Sequence, residues 1–207
     1  MTREASETFS LYTEAAQRKY LNQVERGRAL DASSSLKRSE ALFVDTLAWT
    51  GARVSEVLAL RPFSFQVSRG VVAIVTLKRR RHSVREVPIP PALMESLNAH
   101  FGLQRAQRNL RTAKRRLWPW CRATAWRLVK DVMKRAAIIG PQACPRGFRH
   151  GFGVGALQAG VPLNLLQRWL GHARIETTAI YANACGPEEA SFAVRFWNGH
   201  GIGKSPH

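Results

Sequence analysis

Apolar residues in the first third of the chain recur at helical spacing. A loose stripe over residues 10–28 predicts a first helix, and residues 31–35 predict the loop that follows it. The pattern is stronger over residues 36–50, and helical spacing resumes over residues 52–60 after a Thr-Gly break. The side chains predicted to face the core from the second helix are Leu36, Leu42, Phe43, Leu47 and Trp49.

The period of the pattern then changes to that of strands. Residues 63–67, 71–77 and 84–90 are rich in β-branched residues, which pack well on a pleated surface. Residues 68–70 predict a tight turn between the first two strands, and the very basic residues 78–83 predict the loop between the second and third. Three short strands joined locally predict a small antiparallel sheet.

Helical spacing returns after the strands and continues almost to the end of the chain. The predicted helices cover residues 90–101, 104–116, 122–138, 146–158, 162–170, 174–182 and 187–197. The pattern therefore indicates an α+β fold that is mainly α-helical, with one small three-stranded antiparallel sheet in a single compact domain.

Basic residues are distributed very unevenly along the chain. The sequence has 32 Lys and Arg against 14 Asp and Glu, a formal net charge of +18. Residues 1–60 hold 8 basic and 8 acidic residues, whereas residues 61–207 hold 24 basic and 6 acidic ones. Such one-sided charge is typical of a surface that binds a polyanion, most simply nucleic acid. The alternative is a highly soluble basic surface, although surface charge usually mixes both signs.

Composition excludes several other classes of protein. A hydrophobic fraction of 45% supports a packed core and excludes a wholly disordered basic chain. No apolar run approaches the roughly 18 residues of a membrane span, and the acidic N-terminus does not resemble a secretory signal. The three cysteines, Cys121, Cys144 and Cys185, are widely spaced. Their spacing argues against a disulfide framework or a zinc site and predicts a cytoplasmic protein.

Four short motifs carry residue types suited to phosphate chemistry. They are TGARVSE at 50–56, the basic loop that begins at Lys78, RGFRH at 146–150 and LGHARIETTAIY at 170–181. Each is weak alone, because an arginine in the first motif could simply pair with Glu56 on a surface helix. A single histidine or tyrosine in the last motif would more often be structural.

Together, in this order, the motifs resemble the tyrosine recombinase family of phage-integrase-like site-specific recombinases. The intervals of 23 residues from Arg149 to His172 and of 9 residues from His172 to Tyr181 both match the family pattern. The resemblance covers residues 36–197, with residues 1–35 as an N-terminal helix and linker and residues 198–207 as a tail. It implies the family's catalytic domain, which cleaves and rejoins DNA through a covalent 3′-phosphotyrosine without ATP, metal or other cofactor.

The resemblance implies six catalytic residues: Arg53, Lys78, Arg146, Arg149, His172 and Tyr181. Tyr181 would be the nucleophile, because a phenolate is a tolerable leaving group and its phosphodiester can be reversed. Arg53 and Arg149 would supply bidentate donors to the non-bridging oxygens and stay charged at any physiological pH. Lys78 would protonate the departing 5′ oxygen. It is the only lysine of its loop, which is longer here than in the family.

Three further positions complete the family's pattern. His172 fills a position that is His or Trp in the family. Arg146 stands where the family usually has histidine, so it would act as a donor near the phosphate, or as a simple contact to the DNA backbone, and the base would be water or a neighbour. His150 matches a common family histidine that has no catalytic role.

Many other basic side chains are predicted to contact DNA phosphates. They are Arg79, Arg80, Arg81, Arg105, Arg108, Arg111, Lys114, Arg115, Arg116, Arg122, Arg127 and Lys130. Arg105, Arg108 and Arg111 recur every third residue, so on one helix they would share a side. The adjacent aromatic cluster LWPW at 117–120 is assigned to the core in preference to base or sugar contacts.

The predicted partner is double-stranded DNA. The resemblance further implies self-assembly on DNA through the C-terminal helix, with packing of that helix on its own domain as the alternative. The residues expected to contact a neighbouring copy are Phe192, Val194, Phe196 and Trp197. Only about 35 residues precede the first family-like helix, so we expect the family's N-terminal DNA-binding domain to be absent. Binding would then depend on oligomerisation or on a helper DNA-binding protein.

Two other functions compete with recombination. A type IB topoisomerase shares the same constellation and also tolerates a basic residue at the position of Arg146. A catalytically idle DNA-binding accessory protein is the second alternative, but the intact set of candidate catalytic residues argues against it.

Overall fold

The first helix of the fold begins later than the apolar pattern predicts. The computed structural model describes three ranges of the chain, residues 10–76, 83–183 and 187–199. Helix α1 (Gln23–Ser34) begins after Asn22, whose side chain accepts a hydrogen bond from the Glu25 N–H while the Glu25 carboxylate accepts one from the Asn22 N–H. Because this reciprocal cap starts the helix, the predicted helix over residues 10–28 is wrong over residues 10–22. The predicted loop over residues 31–35 is also wrong, because α1 runs through most of it.

The remaining described helices lie close to most of the predicted ranges. They are α2 (Arg38–Thr50), α3 (Val54–Val57), α4 (Pro91–Phe101), α5 (Leu103–Gln107), α6 (Leu110–Ala113), α7 (Arg122–Arg135), α8 (Pro145–Gln158), α9 (Leu163–Leu170), α10 (Glu176–Ala179) and α11 (Pro187–Gly199). The helix predicted over residues 52–60 is reduced to the single turn of α3. The helix predicted over residues 174–182 divides into α10 and a 3-10 turn at Ile180–Asn183.

The basic segment predicted as one helix over residues 104–116 is broken in two. Asn109 lies between α5 and α6, and its side chain accepts a hydrogen bond from the Arg111 N–H, which caps α6. Arg105, Arg108 and Arg111 therefore do not share one side of a continuous helix, and that expectation is wrong.

The predicted sheet is confirmed. Its strands are β1 (Phe65–Gln66), β2 (Val71–Thr76) and β3 (Ser83–Pro88), antiparallel in the order β1-β2-β3. Val72 pairs with Phe65 on one side and with Val87 on the other, and all three side chains are buried in the main core. The mainly helical α+β class is confirmed by the same elements.

The main core forms around α2, which packs against α1, α4 and α8. Trp118 of the LWPW cluster is fully buried there, and its indole N–H donates to the Ser39 carbonyl at 2.8 Å. Its ring lies edge-on to Phe43, so the assignment of the cluster's Trp118 to the core is confirmed. Trp49, predicted to face the core, is instead 37% exposed, and the Arg26 guanidinium lies 4.1 Å from its ring centroid.

A second, smaller cluster of buried residues contains Tyr20, Val154, Leu166, Leu170 and Tyr181. It joins α8 and α9 to the 3-10 turn that follows α10. Among the residues that the structure describes, no helix is both long enough and apolar enough to cross a lipid bilayer.

Candidate active site

Arg53 is held at the start of α3 by the turn that ends α2. Gly51 adopts a φ of +59°, and a Cβ at this position would lie 2.5 Å from the Phe152 ring, so only glycine fits there. The Arg53 Nη1 donates to Glu56 Oε1 at 2.9 Å, and its backbone N–H donates to Glu56 Oε2 at 3.0 Å. The Glu56 side chain is fully buried, whereas that of Arg53 is 28% exposed. The carboxylate thus orients a guanidinium that remains accessible to a ligand.

Glu56 also binds a second arginine, which the sequence reasoning did not single out. Arg85 of β3 donates to Glu56 Oε2 at 2.6 Å, to the Thr76 hydroxyl at 2.9 Å and to the Trp169 carbonyl at 2.7 Å. Burial would raise the pKa of Glu56, but the attraction and hydrogen bonds of the two arginines outweigh it and lower that pKa. A signal was present in the sequence: Arg85 stands two residues before Val87, at an inward-facing position of the strand.

Arg149 is the buried arginine of the site. It lies on α8 and is only 6% exposed, and its guanidinium donates to the carbonyls of Gly51 at 2.7 Å and Leu170 at 2.8 Å. Burial, together with repulsion from Arg53, lowers the pKa of Arg149 to about 10. The group therefore stays positively charged at neutral pH, and it joins the ends of α2 and α9 at the site.

Tyr181 is 1% exposed and lies in the 3-10 turn after α10. Its ring packs directly on Gly153, where an added Cβ would lie 2.7 Å from two ring carbons. Burial raises the pKa of Tyr181, and the positive charges of Arg149 and Arg53 act against that rise. The phenol is therefore protonated at neutral pH and must lose its proton before it can attack.

Two histidines adjoin the Tyr181 ring. The His172 ring is nearly parallel to it, with 6.3 Å between centroids, and His172 Nδ1 lies 2.9 Å from the Thr178 hydroxyl. His150 Nδ1 lies 3.2 Å from the Tyr181 Oη. Burial, followed by repulsion from Arg149, lowers the pKa of His172 to about 3 and that of His150 to about 4. Both imidazoles are thus neutral at pH 7.

The structure therefore brings together four of the six predicted catalytic residues: Arg53, Arg149, His172 and Tyr181. Arg146 is exposed in the first turn of α8, and its charge contributes to the lowered pKa of His150. Lys78 and the adjacent Arg79, Arg80 and Arg81 lie outside the described residues. The strand that leads to their loop ends at Thr76, which Arg85 ties to the site.

The predicted DNA contacts on α5, α6 and α7, and on the segments between these helices, are mostly exposed. The exposed ones are Arg105, Arg108, Arg111, Lys114, Arg115, Arg116, Arg122 and Arg127. Lys130 differs, because it is half-buried and its ammonium donates to the Ala143 carbonyl at 2.9 Å. Trp126 lies among these residues on α7 and is 49% exposed, a feature that the sequence reasoning missed.

The donor set of the site is suited to an anion and not to a cation. Its groups are guanidiniums and neutral imidazoles, and its one buried carboxylate, that of Glu56, is already bound by two arginines. Within residues 10–76, 83–183 and 187–199, no group of three His, Cys, Asp or Glu side chains is arranged to hold a metal ion.

Comparison with known proteins decides the family. Residues 19–185 match the family model described as "Phage integrase family", which is most of the chain. The chain belongs to the phage integrase family. The structure thus places phage-integrase motifs that are far apart in sequence around one buried tyrosine.

Curated relatives of this phage integrase family member include tyrosine recombinases and resolvases. The Tyrosine recombinase XerA of Pyrococcus furiosus is 27% identical over 169 residues, which cover 79% of this chain and 56% of the relative. A Resolvase of Escherichia coli K12 is 29% identical over 190 residues, covering 79% of this chain and 70% of the relative. The chain thus spans little more than half the length of the archaeal relative.

Solved structures of recombinases and integrases share the fold. A crystal structure of XerA recombinase matches with a TM-score of 0.72 and 23% identity, over 86% of this chain and 64% of that one. The catalytic domain of bacteriophage HP1 integrase matches with a TM-score of 0.62 and 23% identity, over 87% of this chain and 95% of that one.

Proposed function

We propose that this chain is a site-specific DNA recombinase that cleaves and rejoins double-stranded DNA through a covalent 3′-phosphotyrosine at Tyr181. The observation that carries the proposal is the buried Tyr181 phenol, set among two arginines and two neutral histidines. A crystal structure of XerH site-specific recombinase, bound to its difH substrate, has the same fold, with a TM-score of 0.67. In this proposal residues 36–197 act as the catalytic domain.

The first step would place the scissile phosphate between Arg53 and Arg149. Attack by the Tyr181 Oη on phosphorus increases the negative charge on the non-bridging oxygens, which preoriented guanidiniums stabilise. Losing one such donor typically slows an enzyme by roughly 100- to 1,000-fold. The 5′ oxygen leaves with a proton from Lys78, and the phosphotyrosine bond keeps the energy needed for rejoining. The arginines supply the positive charge that a metal ion would otherwise provide, so the proposed reaction needs no cofactor.

DNA would be bound through the exposed basic residues of α5, α6 and α7. An arginine-rich surface releases counterions from the DNA backbone, so affinity should fall by roughly 1,000- to 100,000-fold between 50 and 200 mM salt if six to ten phosphates are contacted. Trp126 lies one helical turn after Arg122 and is exposed, which suits contact with a sugar or base edge.

Assembly would involve the C-terminal helix α11. Three of its apolar residues are about half exposed: Val194 is 45% exposed, Phe196 61% and Trp197 49%. Clustered exposed apolar side chains are typical of an interaction surface. The side chain of Phe192 is outside the described residues. The same helix also contacts α8 of its own domain, so both predicted roles of α11 remain compatible with the structure. A helper DNA-binding protein and a cytoplasmic location remain predictions.

A topoisomerase-like activity is the second candidate, because Arg146 places a basic side chain in the first turn of α8. The two activities differ in what the DNA-bound protein does next. A recombinase pairs two duplexes and exchanges strands at particular sites, whereas a topoisomerase relaxes one supercoiled duplex without site preference.

Nicked suicide substrates test the proposal. The purified chain would be incubated with a randomised pool of nicked duplexes, in which cleavage releases a short fragment that begins with the new 5′ hydroxyl. Adducts would be recovered on a denaturing gel. We expect a covalent adduct that disappears in Tyr181→Phe and persists in the control Tyr12→Phe. Enrichment of particular sequences in the adduct supports site specificity, and relaxation of any supercoiled plasmid without such enrichment favours the topoisomerase. If no duplex gives an adduct, the chain is not a cleaving enzyme, and the remaining alternative is a catalytically idle DNA-binding accessory protein.

A further inference from the structure

A histidine that the family resemblance leaves without a role contacts the reacting atom. Among the described residues, the hydrogen-bond partner of the Tyr181 hydroxyl is His150 Nδ1, at 3.2 Å. His150 lies on α8 directly after Arg149, and its ring centroid is 5.8 Å from that of Tyr181. The same helix therefore carries a phosphate-binding arginine and a ring nitrogen at the nucleophile.

We propose that His150 is the catalytic base that removes the phenolic proton of Tyr181. This inference rests on the proposed phosphotyrosine mechanism and adds the group that activates its nucleophile. A neutral imidazole with its proton on Nε2 has a lone pair on Nδ1, which lies where the Tyr181 hydroxyl can donate to it. Arg146, three residues before Arg149, carries a guanidinium, which has no acceptor atom and cannot take this role.

The groups around His150 keep it uncharged, with a free lone pair on one ring nitrogen, before DNA binds. The charged or titratable groups that act on it are Arg146, Arg149, Lys19, Tyr181 and His172. Burial and the three cationic groups lower the pKa of His150 to about 4, so the free site holds it neutral. A bound phosphodiester brings a negative charge beside Arg149. That charge offsets the repulsion and favours the imidazolium at the moment when the proton moves.

The proton and the bonds balance in this step. The Tyr181 O–H bond breaks and its proton passes to His150 Nδ1 while the Oη–P bond forms. The P–O5′ bond breaks, and the 5′ oxygen takes a different proton, from Lys78 in the proposed mechanism. On rejoining, the 5′ hydroxyl returns its proton to the neutral Lys78 amine as it attacks phosphorus. The Oη–P bond breaks, and the His150 imidazolium returns its proton to the departing phenolate.

Two substitutions of His150 distinguish between two roles: removing the proton of the Tyr181 phenol, and only orienting that phenol. In His150→Asn, the side-chain Oδ1 can lie near the position of Nδ1 and accept the same hydrogen bond, but an amide does not take up a proton. His150→Ala removes both functions. The control is His100→Asn at the exposed end of α4. Single-turnover cleavage would be measured on the nicked substrate, and gel-shift binding would confirm that each variant is folded and binds DNA.

We expect His150→Asn and His150→Ala to cleave at least about 100-fold more slowly than the wild type, with His100→Asn unchanged. If His150→Asn cleaves almost as fast as the wild type and only His150→Ala is slow, His150 is not the base. Its role would then be to orient the Tyr181 hydroxyl. Full activity in both His150 variants would exclude either role. These outcomes differ from failure of the proposed function, in which the wild type itself forms no adduct or Tyr181→Phe still forms one. Such a failure would overturn this inference as well.

A more acidic nucleophile gives a second readout that loss of packing would not change. Replacing Tyr181 with a fluorinated tyrosine makes the phenol easier to deprotonate, so the penalty of His150→Asn should shrink by about tenfold or more. The rate of His150→Asn should also rise steadily between pH 6 and pH 8, where the wild type stays level because His150 is already neutral. An equal penalty with both nucleophiles would overturn the assignment of His150 as the base.

Discussion

The Glu56→Gln substitution probes the ion network that holds the site together. The Glu56 side chain is fully buried and accepts hydrogen bonds from the Arg53 backbone N–H, the Arg53 guanidinium and Arg85. An amide of the same shape cannot balance the charge of Arg85, whose side chain is only 6% exposed. The buried arginine would then lose its counterion while keeping its other two hydrogen bonds.

The size of the effect follows from that burial. Removing one partner of a buried ion pair typically costs about 3–5 kcal/mol, because the remaining charge is left uncompensated. With a urea slope of about 2 kcal/mol per molar, the unfolding midpoint should fall by roughly 2 M. The matched control is Glu86→Gln on the same sheet, where Glu86 is 46% exposed in its pair with Arg69 and should contribute less than about 1 kcal/mol.

Urea unfolding at pH 7 measures both variants, and single-turnover cleavage measures the consequence for Arg53. Cleavage by Glu56→Gln should also slow, but by less than the roughly 100- to 1,000-fold expected when the guanidinium itself is removed. The pH gives a further check. Because the folded-state pKa of Glu56 is lowered, its contribution to stability is present above the ordinary carboxylate range and is lost as the pH falls through the lowered pKa. Equal unfolding midpoints for Glu56→Gln and Glu86→Gln would show that the buried ion network contributes no more stability than an exposed ion pair.

Three further outcomes are expected. Gly153→Ala would place a methyl group 2.7 Å from the Tyr181 ring, so it should abolish most cleavage without weakening DNA binding in a gel shift. The control is Gly155→Ala, whose Cβ would meet nothing within 4 Å and which should leave cleavage intact. The pKa of His150 is lowered to about 4 in the folded chain, so the unfolded chain takes up that proton first as the pH falls below about 6.5. The wild type should therefore lose about 2 kcal/mol of its free energy of unfolding at this site when the pH falls from 7 to 5. His150→Asn should not show this part of the loss, and urea unfolding at the two pH values measures the difference. Removing one exposed arginine of α7 should reduce the salt slope of DNA binding by about one, and an unchanged slope would place that residue away from the DNA.

The family resemblance, carried by the order and intervals of the motifs, implied that the motif residues meet at one site. One local feature of the sequence was a break in the helical pattern that predicts a tight turn. The Thr-Gly break before Arg53 is such a turn, and Gly51 there has the left-handed backbone that only glycine adopts without strain. The structure accordingly brings Arg53, Arg149 and Tyr181 together, while their catalytic roles remain predictions. The mainly helical fold with its small sheet could likewise be predicted from periodicity alone.

Other features depend on contacts between distant parts of the chain. Residues 10–22 hold buried apolar side chains without helical backbone, and the Leu21 N–H donates to the Gly147 carbonyl far along the sequence. Trp49 lies on an apolar stripe but packs against the Arg26 guanidinium near the surface. No local pattern predicts such long-range pairings. The contact between His150 and Tyr181 is of the same kind, since a helix and a later turn must meet before it exists.

The most direct test of the central claim is to identify the residue that becomes linked to DNA. After reaction with a nicked duplex, the adduct would be digested with nuclease and protease and its peptides sequenced by mass spectrometry. We expect a nucleotide joined by its 3′ phosphate to Tyr181. Attachment to any other residue, or through a 5′ phosphate, would contradict this claim.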